Sequence, residues 1–320
     1  MNTIHNVTSR YSALLTKPTV LVFENALYIP HASKYDTNAV MIETHDTTTH
    51  ISVIASQITE ITIVHVTQGN NAQSHAHIHY TIKENTAAQI TEIHCSTNET
   101  SKISSIETTL SLEKNSQCEY INIQDLGTDT ECAQTITVQQ EQNSQFTAHV
   151  YQLQGDILHT TLNIDKNDTQ AHTALYGLSY PKSTQRFECN TLVKHNCTDC
   201  ETVENFKILA TDQSFGVFGG MIYVAPHAVR TIAKQSNKNM LLSPNARIFS
   251  KPQLEIYADD VSCNHGSSTG QLNEDALWYM QARGIAPEQA RQLLIQAVVC
   301  EITDMLPKEE LRELINSVLR

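Results

Sequence analysis

A cysteine and a histidine two positions apart, Cys263 and His265, are the side chains whose types and spacing best suit chemistry. The run Val261–His265 is predicted to form a short β-strand, in which residues i and i+2 lie on one face, roughly 6.6 Å apart. Asn264 would then lie on the opposite face. A thiolate beside an imidazole can bind a soft or borderline metal such as iron or zinc. Such centres usually take about four ligands, so the others must come from elsewhere in the chain or from a partner.

A longer segment around this pair resembles a known family. Lys251–Gly266, which reads KPQLEIYADDVSCNHG, and Thr269–Leu272 are similar to the signature of the SufB/SufD family, the scaffold proteins of the SUF iron–sulfur cluster assembly machinery. The resemblance is to the SufD branch and extends from about residue 185 to the C-terminus. SufB-like chains usually carry a His-Glu pair where this chain reads Asn264-His265-Gly266, which favours the SufD branch. A SufB-like scaffold is the nearest alternative. Shorter matching segments are Val217–Gly220, Val224–Ala228, Thr231, Gln235, Asn237 and Asn239–Ser243.

The resemblance implies a mainly β fold, a right-handed parallel β-helix with a C-terminal α-helical module. It implies a non-enzymatic scaffold that pairs with a SufB paralogue through the last coils and binds the SufC ATPase through the C-terminal helices. No cofactor would be bound permanently, and a transient iron–sulfur cluster or iron would lie at the SufB interface. Cys263 and His265 would supply ligands or a proton relay there. Whether the isolated chain forms a homodimer stays open.

The composition narrows the choice of partners and compartment. The 320 residues carry a formal net charge of −13, which argues against nucleic acid or an anionic membrane as the main partner. Met1–Lys17 has no apolar run of signal-peptide length, and no stretch approaches the roughly 18 apolar residues of a membrane span. The eight cysteines are scattered through a long chain. We therefore expect reduced thiols in a cytoplasmic protein.

Period-two patterning dominates the chain from Thr19 onward, and strong helical periodicity is absent for about 250 residues. Many short, β-branched segments at close spacing indicate a sandwich, a barrel or a solenoid. Polar corners favour the solenoid, because stacked amide side chains can hydrogen-bond along its axis. We predict a lead-in over residues 1–18, a β-helix core over 19–270 and a helical module over 271–320. The predicted corners are Asn143, Asn167, Asn196, Asn237 and Asn245.

Helix signals begin after Gly270. Asn273 is predicted to cap a helix that ends before Gly284, Pro287 suits the first turn of a second helix, and Pro307 opens a third. The module is expected to cap the open end of the solenoid and also, by the resemblance, to dock the ATPase. The expected docking residues are Arg283, Gly284, Leu293, Leu294, Ala297, Val298, Ile302 and Met305.

Two other groups of possible ligands stand out. His75, His77 and His79 alternate on one predicted strand face, for which an exposed surface is the simpler interpretation. His195, Cys197 and Cys200 form a His-x-Cys-x-x-Cys motif, but a zinc ribbon needs a second such pair.

A β-helix carbohydrate-active enzyme is the alternative from another class, and it would depend on Asp259 and Asp260. Few aromatic residues and a single tryptophan, Trp278, argue against it. The sequence also lacks a phosphate-binding GxxxxGK[ST] loop, so we do not expect this chain to hydrolyse ATP itself.

Overall fold

A computed structural model describes residues 11–70, 72–96 and 102–319, and within these it contains nineteen β-strands and three α-helices. The first ten residues of the predicted lead-in lie outside this range. The strands are β1 (Thr19–Glu24), β2 (Leu27–Tyr28), β3 (Val40–His45), β4 (Thr48–Val53), β5 (Thr59–Thr67), β6 (Gln73–Ile82), β7 (Ala87–Ser96), β8 (Lys102–Leu112), β9 (Gln117–Asp125), β10 (Thr130–Gln140), β11 (Gln145–Gln154), β12 (Ile157–Lys166), β13 (His172–Ser179), β14 (Arg186–His195), β15 (Glu201–Ala210), β16 (Phe215–Val224), β17 (Thr231–Leu241), β18 (Arg247–Ile256) and β19 (Val261–Gln271).

Successive strands alternate between two sheets. The first sheet has the order β19-β17-β15-β13-β11-β9-β7-β5-β1-β2, and the second has the order β18-β16-β14-β12-β10-β8-β6-β4-β3. Among the described strands, every pairing is parallel except β1 with β2 and β3 with β4. The result is a parallel β-solenoid of about eight turns, which confirms the β-helix prediction.

The corners of the coil show why the chain needs so few glycines. Asn85, Asn115 and Asn143 all have positive φ angles of 54–59°, a conformation that asparagine tolerates better than most residues. They occupy the same corner of successive turns. Asn115 Nδ2 donates to Asn85 Oδ1 at 3.1 Å, and Asn143 Nδ2 donates to Asn115 Oδ1 at 2.8 Å. This amide ladder along the axis confirms Asn143 as a polar corner.

Asn237 was predicted as a corner and that prediction is wrong. It lies inside β17 and is fully buried, where its Nδ2 donates to the Phe206 carbonyl at 3.1 Å. An amide with a buried partner is stable inside the coil, and the sequence alone does not distinguish this case from a solvated turn.

The three helices are α1 (Glu274–Ala282), α2 (Pro287–Thr303) and α3 (Glu309–Leu319). Their predicted ends are confirmed at three positions. Asn273 accepts a hydrogen bond from the Ala276 backbone N–H at 3.0 Å, Gly284 has φ +85° after α1, and Pro287 is the first residue of α2.

The helices do not cap the end of the solenoid, so that expectation is wrong. They lie along the outer face of the first sheet, where Val299, Ile302 and Ile315 join Ile93 and Ile121 in one buried apolar cluster. The strands of this sheet are buried on both faces over much of their length, and β7 is buried at nine of its ten positions. Apolar side chains on both faces require a second covering layer, which the helices provide.

Ion pairs hold the helices at both ends of this contact. Lys308 Nζ, just before α3, lies 2.7 Å from Glu60 of β5, and Lys207 Nζ of β15 lies 2.7 Å from Glu301 of α2. No helix in the described ranges has the length and apolar character needed to cross a membrane.

Candidate functional site at the end of the solenoid

The last turn of the solenoid ends in two strands with a neighbour on one side only. Within the described residues, β18 pairs with β16 alone and β19 pairs with β17 alone. Inward-pointing side chains on these strands are therefore not covered by a further turn. We call this surface the terminal rim. Its side chains include Ser250, Leu254, Cys263, His265 and Ser267.

The strand register shows that the sequence-predicted pair belongs to the rim. Cys263 is in register with Ala233 of β17, and His265 is in register with Gln235. Both β17 side chains are buried inside the coil. Since neighbours in register point to the same side of a sheet, Cys263 and His265 both face the interior. Asn264 alternates to the outer face, as the spacing predicted.

The two sheets approach each other at the rim. Ser250 Oγ of β18 donates to Asn237 Oδ1 at 2.7 Å and lies 2.8 Å from Ser267 Oγ of β19. This contact joins the last strands across the coil. Side chains from both sheets therefore fill the end of the coil, and no open channel is left between these strands.

Cys263 is half-buried and His265 is exposed. Burial raises the pKa of the Cys263 thiol, although a hydrogen bond with the Ala233 backbone acts in the opposite direction. The free thiol is therefore protonated at neutral pH, and binding to a metal would have to release its proton. The structure thus brings together the two predicted ligands on one uncovered face.

A buried carboxyl group lies two strands below His265. Glu204 of β15 is in register with Gln235, which is in register with His265. Burial raises the pKa of Glu204 to about 7, while hydrogen bonds from Gln235 and Thr191 act in the opposite direction. This carboxyl group was not predicted from the sequence, because its burial depends on the register of three strands.

The expected docking residues separate into two groups. Leu293, Ala297 and Met305 are exposed, whereas Ile302 is fully buried against the first sheet. The α2 side chains Leu294 and Val298 are partly buried in the same cluster.

The end of α1 adds aromatic side chains to the exposed group. The Arg283 guanidinium lies over the Tyr279 ring at 4.9 Å, Gly284 ends the helix, and Trp278 is exposed beside Tyr279. Tyr279 was not predicted from the sequence. Its exposure and its contact with Arg283 make it part of this exposed group.

The alternating histidines lie on the outer face of β6, as expected for an exposed surface. The His79 ring stacks on His50 with centroids 4.6 Å apart, and its centroid lies 4.0 Å from that of His77. Partial burial and these two rings lower the pKa of His79. His75 is exposed.

The His-x-Cys-x-x-Cys motif does not converge in the structure. His195 is buried and its Nε2 lies 2.9 Å from Thr202 Oγ1, while the Cys200 thiol donates to the Asp168 carbonyl at 3.4 Å. Cys197 is half-buried. Within the described parts of the chain, these side chains do not form a group of three close ligands.

Asp259 and Asp260, on which the carbohydrate-enzyme alternative depends, lie exposed at the corner between β18 and β19. The Asp260 backbone carbonyl accepts a hydrogen bond from the Arg230 N–H at 2.6 Å.

One group with metal-binding side chains was missed. His65, Glu92 and His94 are buried inside the coil with ligand atoms within 4.8 Å of one another. His65 Nε2 lies 2.9 Å from Glu92 Oε1, and the two imidazole rings stack at 4.7 Å with an angle of 5°. Parallel rings direct their lone pairs along parallel lines rather than toward one ion. Asn122 Nδ2 lies 3.0 Å from His94 Nε2, and the Tyr120 hydroxyl donates to Glu92. His94 Nδ1 has no hydrogen-bond partner among the described residues. The group is a buried polar network.

Burial lowers the pKa of His94 but is outweighed at Glu92. Burial and the neighbouring His65 lower the pKa of His94 to about 3, so its ring is neutral. Burial is the largest single influence on Glu92 and favours the neutral acid, but the hydrogen bonds from His65 and Tyr120 and the electrostatic interactions with His65 and His94 together outweigh it, so the pKa of Glu92 lies below its ordinary value. His65 and His94 lie one turn apart, and only knowledge of the turn length would have linked them.

Comparison with known proteins identifies the family. The family described as SUF system FeS cluster assembly, SufBD core domain, matches residues 65–298, well beyond the segment in which the sequence resemblance was noted. The chain is 28% identical over 272 residues to the iron–sulfur cluster assembly protein SufD of Escherichia coli K12, an alignment that covers 83% of this chain and 64% of that protein.

Two further relatives have the same character. Identity is 29% over 201 residues with an iron–sulfur cluster assembly SufBD family protein of Synechocystis, which covers 63% of this chain and 44% of the relative. Identity is 28% over 234 residues with the iron–sulfur cluster assembly protein SufD of Plasmodium berghei, an alignment that covers 72% of this chain and 17% of that protein. The chain thus spans less than two thirds of the length of these relatives. Because the family match covers more than half of the chain, the protein belongs to the SufBD family of the SUF iron–sulfur cluster assembly system.

Proposed function

We propose that the chain is a non-enzymatic scaffold subunit that supplies half of a cluster assembly site from its terminal rim. The observation that supports this most directly is that Cys263 and His265 share one inward face at the uncovered end of the coil. Two ligands are half of the roughly four that an iron or iron–sulfur centre takes. The iron or cluster is cargo that the scaffold holds transiently and passes on.

A SufB paralogue is the proposed source of the other ligands. The outer strands β18 and β19 have unpaired edges, and such edges readily pair with another chain. Large apolar side chains are exposed next to the rim at Phe249, Ile256 and Tyr257. An exposed apolar surface beside two free strand edges suits a protein partner of similar fold. The same surfaces would pair two copies of this chain in the absence of the paralogue.

The proposal is tested by replacing one ligand and its outward neighbour. His265→Ala should lower the cluster yield of the reconstituted assembly complex by about tenfold or more, since one of about four ligands is lost. Asn264→Ala is the matched control, because this residue lies on the same strand but on the outer face. Complex formation, measured by size-exclusion chromatography, should stay unchanged in both variants. A normal cluster yield with His265→Ala contradicts the proposal.

We place the binding of a SufC ATPase on the exposed face of the helical layer. Leu293, Ala297 and Met305 lie on this face. Because they are exposed, these three side chains do not cover the first sheet and are available to a partner. Helical docking of this kind would let nucleotide-driven movement of the ATPase reach the solenoid through α2. Cytoplasmic assembly is part of the same proposal.

The docking surface is tested with a charge. Met305→Glu should weaken the binding of a SufC ATPase by about 2 kcal/mol, since a buried unpaired charge disfavours an interface. Ile103→Glu is the control, because Ile103 is equally exposed (49% against 50%) but lies on β8 of the second sheet. Isothermal titration calorimetry measures both. Equal affinities for the two variants would place the ATPase elsewhere.

A further inference from the structure

Three inward side chains line up beneath the rim. His265 of β19 is in register with Gln235 of β17, and Gln235 is in register with Glu204 of β15. Neighbouring strands lie about 4.8 Å apart, so a glutamine side chain can reach the residue in register on the next strand. His265 therefore has Gln235 as its inward neighbour.

The Gln235 amide is held in one orientation. Its Nε2 donates to Glu204 Oε2 at 2.5 Å, and the same carboxyl oxygen accepts from Thr191 Oγ1 at 3.3 Å. With its nitrogen fixed toward Glu204, the amide has only its oxygen available for another partner. Gln235 Oε1 is buried and has no hydrogen-bond partner within the described residues. Buried carbonyl oxygens normally have one.

A glycine in the facing strand makes room for this amide. A Cβ atom at Gly220 of β16 would lie 2.3 Å from Gln235 Nε2, closer than real Cβ contacts. The same Cβ would lie 2.8 Å from two ring atoms of Phe218, so any other residue at position 220 would displace the Gln235 amide and press on the Phe218 ring. This accounts for the glycine at position 220.

We propose that Gln235 is a positioning residue for His265. Its free oxygen accepts the N–H of the His265 ring, which selects one tautomer and directs the other ring nitrogen away from the coil toward the cargo. Glu204 and Gly220 act through Gln235, by holding its amide nitrogen. Partners of this kind commonly orient metal-binding histidines. The inference rests on the proposed function of the rim.

The test measures the tautomer of His265 in the isolated full-length chain. Two-bond 15N–1H correlation spectra are recorded on protein labelled with 15N-histidine, at a pH where the ring is neutral, and His265→Ala assigns the signal. We expect one dominant tautomer in the unchanged protein. Gln235→Leu should change the tautomer ratio by roughly fivefold, the effect of one hydrogen bond. Gly220→Ala should do the same by displacing the amide.

Circular dichroism checks that each variant is folded, and the Gly220→Ala result decides if Gln235→Leu is not. An unchanged tautomer ratio in folded Gln235→Leu or Gly220→Ala protein overturns the inference. This measurement needs no partner subunit, so it fails independently of the cluster assembly test on His265→Ala.

Discussion

The two ends of the solenoid both carry histidines on their inward face, but only one end is closed. At the first end, His65 and His94 lie under the turns that begin with the antiparallel pairs β1–β2 and β3–β4, and both are buried. At the last end, Cys263 is half-buried and His265 is exposed. The two ends carry similar residue types. Within the described residues, further strands cover those at the first end and none cover those at the last end.

This difference decides what the side chains can do. At the closed end the potential ligands are engaged in hydrogen bonds inside the coil, since Glu92 accepts hydrogen bonds from His65 and Tyr120. At the open end His265 and Cys263 face space that another chain can enter. A histidine cluster is therefore a structural network when a further turn covers it and a candidate binding surface when none does.

Removing the central carboxylate of the closed end should give the largest effect. Glu92→Ala removes the hydrogen-bond partner of His65 and the acceptor of the Tyr120 hydroxyl hydrogen in a buried interior, and it creates a cavity. We expect a loss of about 3 kcal/mol or more in the free energy of unfolding, as for other broken buried pairs. His265→Ala at the open end should change it by less than about 0.5 kcal/mol. Urea denaturation followed by circular dichroism measures both.

Glu107→Ala controls for the loss of a carboxylate, because Glu107 is exposed on the outer face of β8. Equal losses for Glu92→Ala and His265→Ala would remove the distinction between the two ends.

The rim was predictable from sequence because it depends on local spacing. Alternation along one strand places Cys263 and His265 on the same face, and the family resemblance identifies the segment. Both ends of α1 and the start of α2 were predictable for the same reason, since Asn273, Gly284 and Pro287 each act within one turn of helix.

The features that were missed depend on contacts between distant segments. His65 meets Glu92 across 27 residues, and His265 lies above Gln235 across 30. The number of residues per turn varies along the chain, so no fixed repeat reveals these pairs. The position of the helices was also mispredicted, because the need to cover the first sheet is visible only when both of its faces are considered.

A second expected effect concerns the carboxyl group below the rim, and it appears as a change of stability with pH. The pKa of Glu204 is raised from 4.5 to about 7 in the folded protein, chiefly by burial. Between these values the folded state binds more protons than the unfolded state. The contribution of Glu204 to stability is therefore fully present below pH 4.5 and is lost as the pH rises through 7.

Glu204→Gln should remove this dependence. The stability of the variant relative to the unchanged protein should rise by up to about 3 kcal/mol between pH 4.5 and pH 8, the upper limit set by the size of the pKa shift. His94 and His195, whose pKa values are lowered to about 3 and about 2, chiefly by burial, affect both proteins equally and cancel in the difference. Burial lowers the pKa of Lys166 to about 7, and its charge interacts with Glu204, so the difference reports the coupled titration of this pair. Urea denaturation at a series of pH values measures it, with the exposed Glu131→Gln as control. A flat difference curve would mean that Glu204 ionises as freely as an exposed carboxyl group, and the open end would then lack the buried polar support that the closed end has.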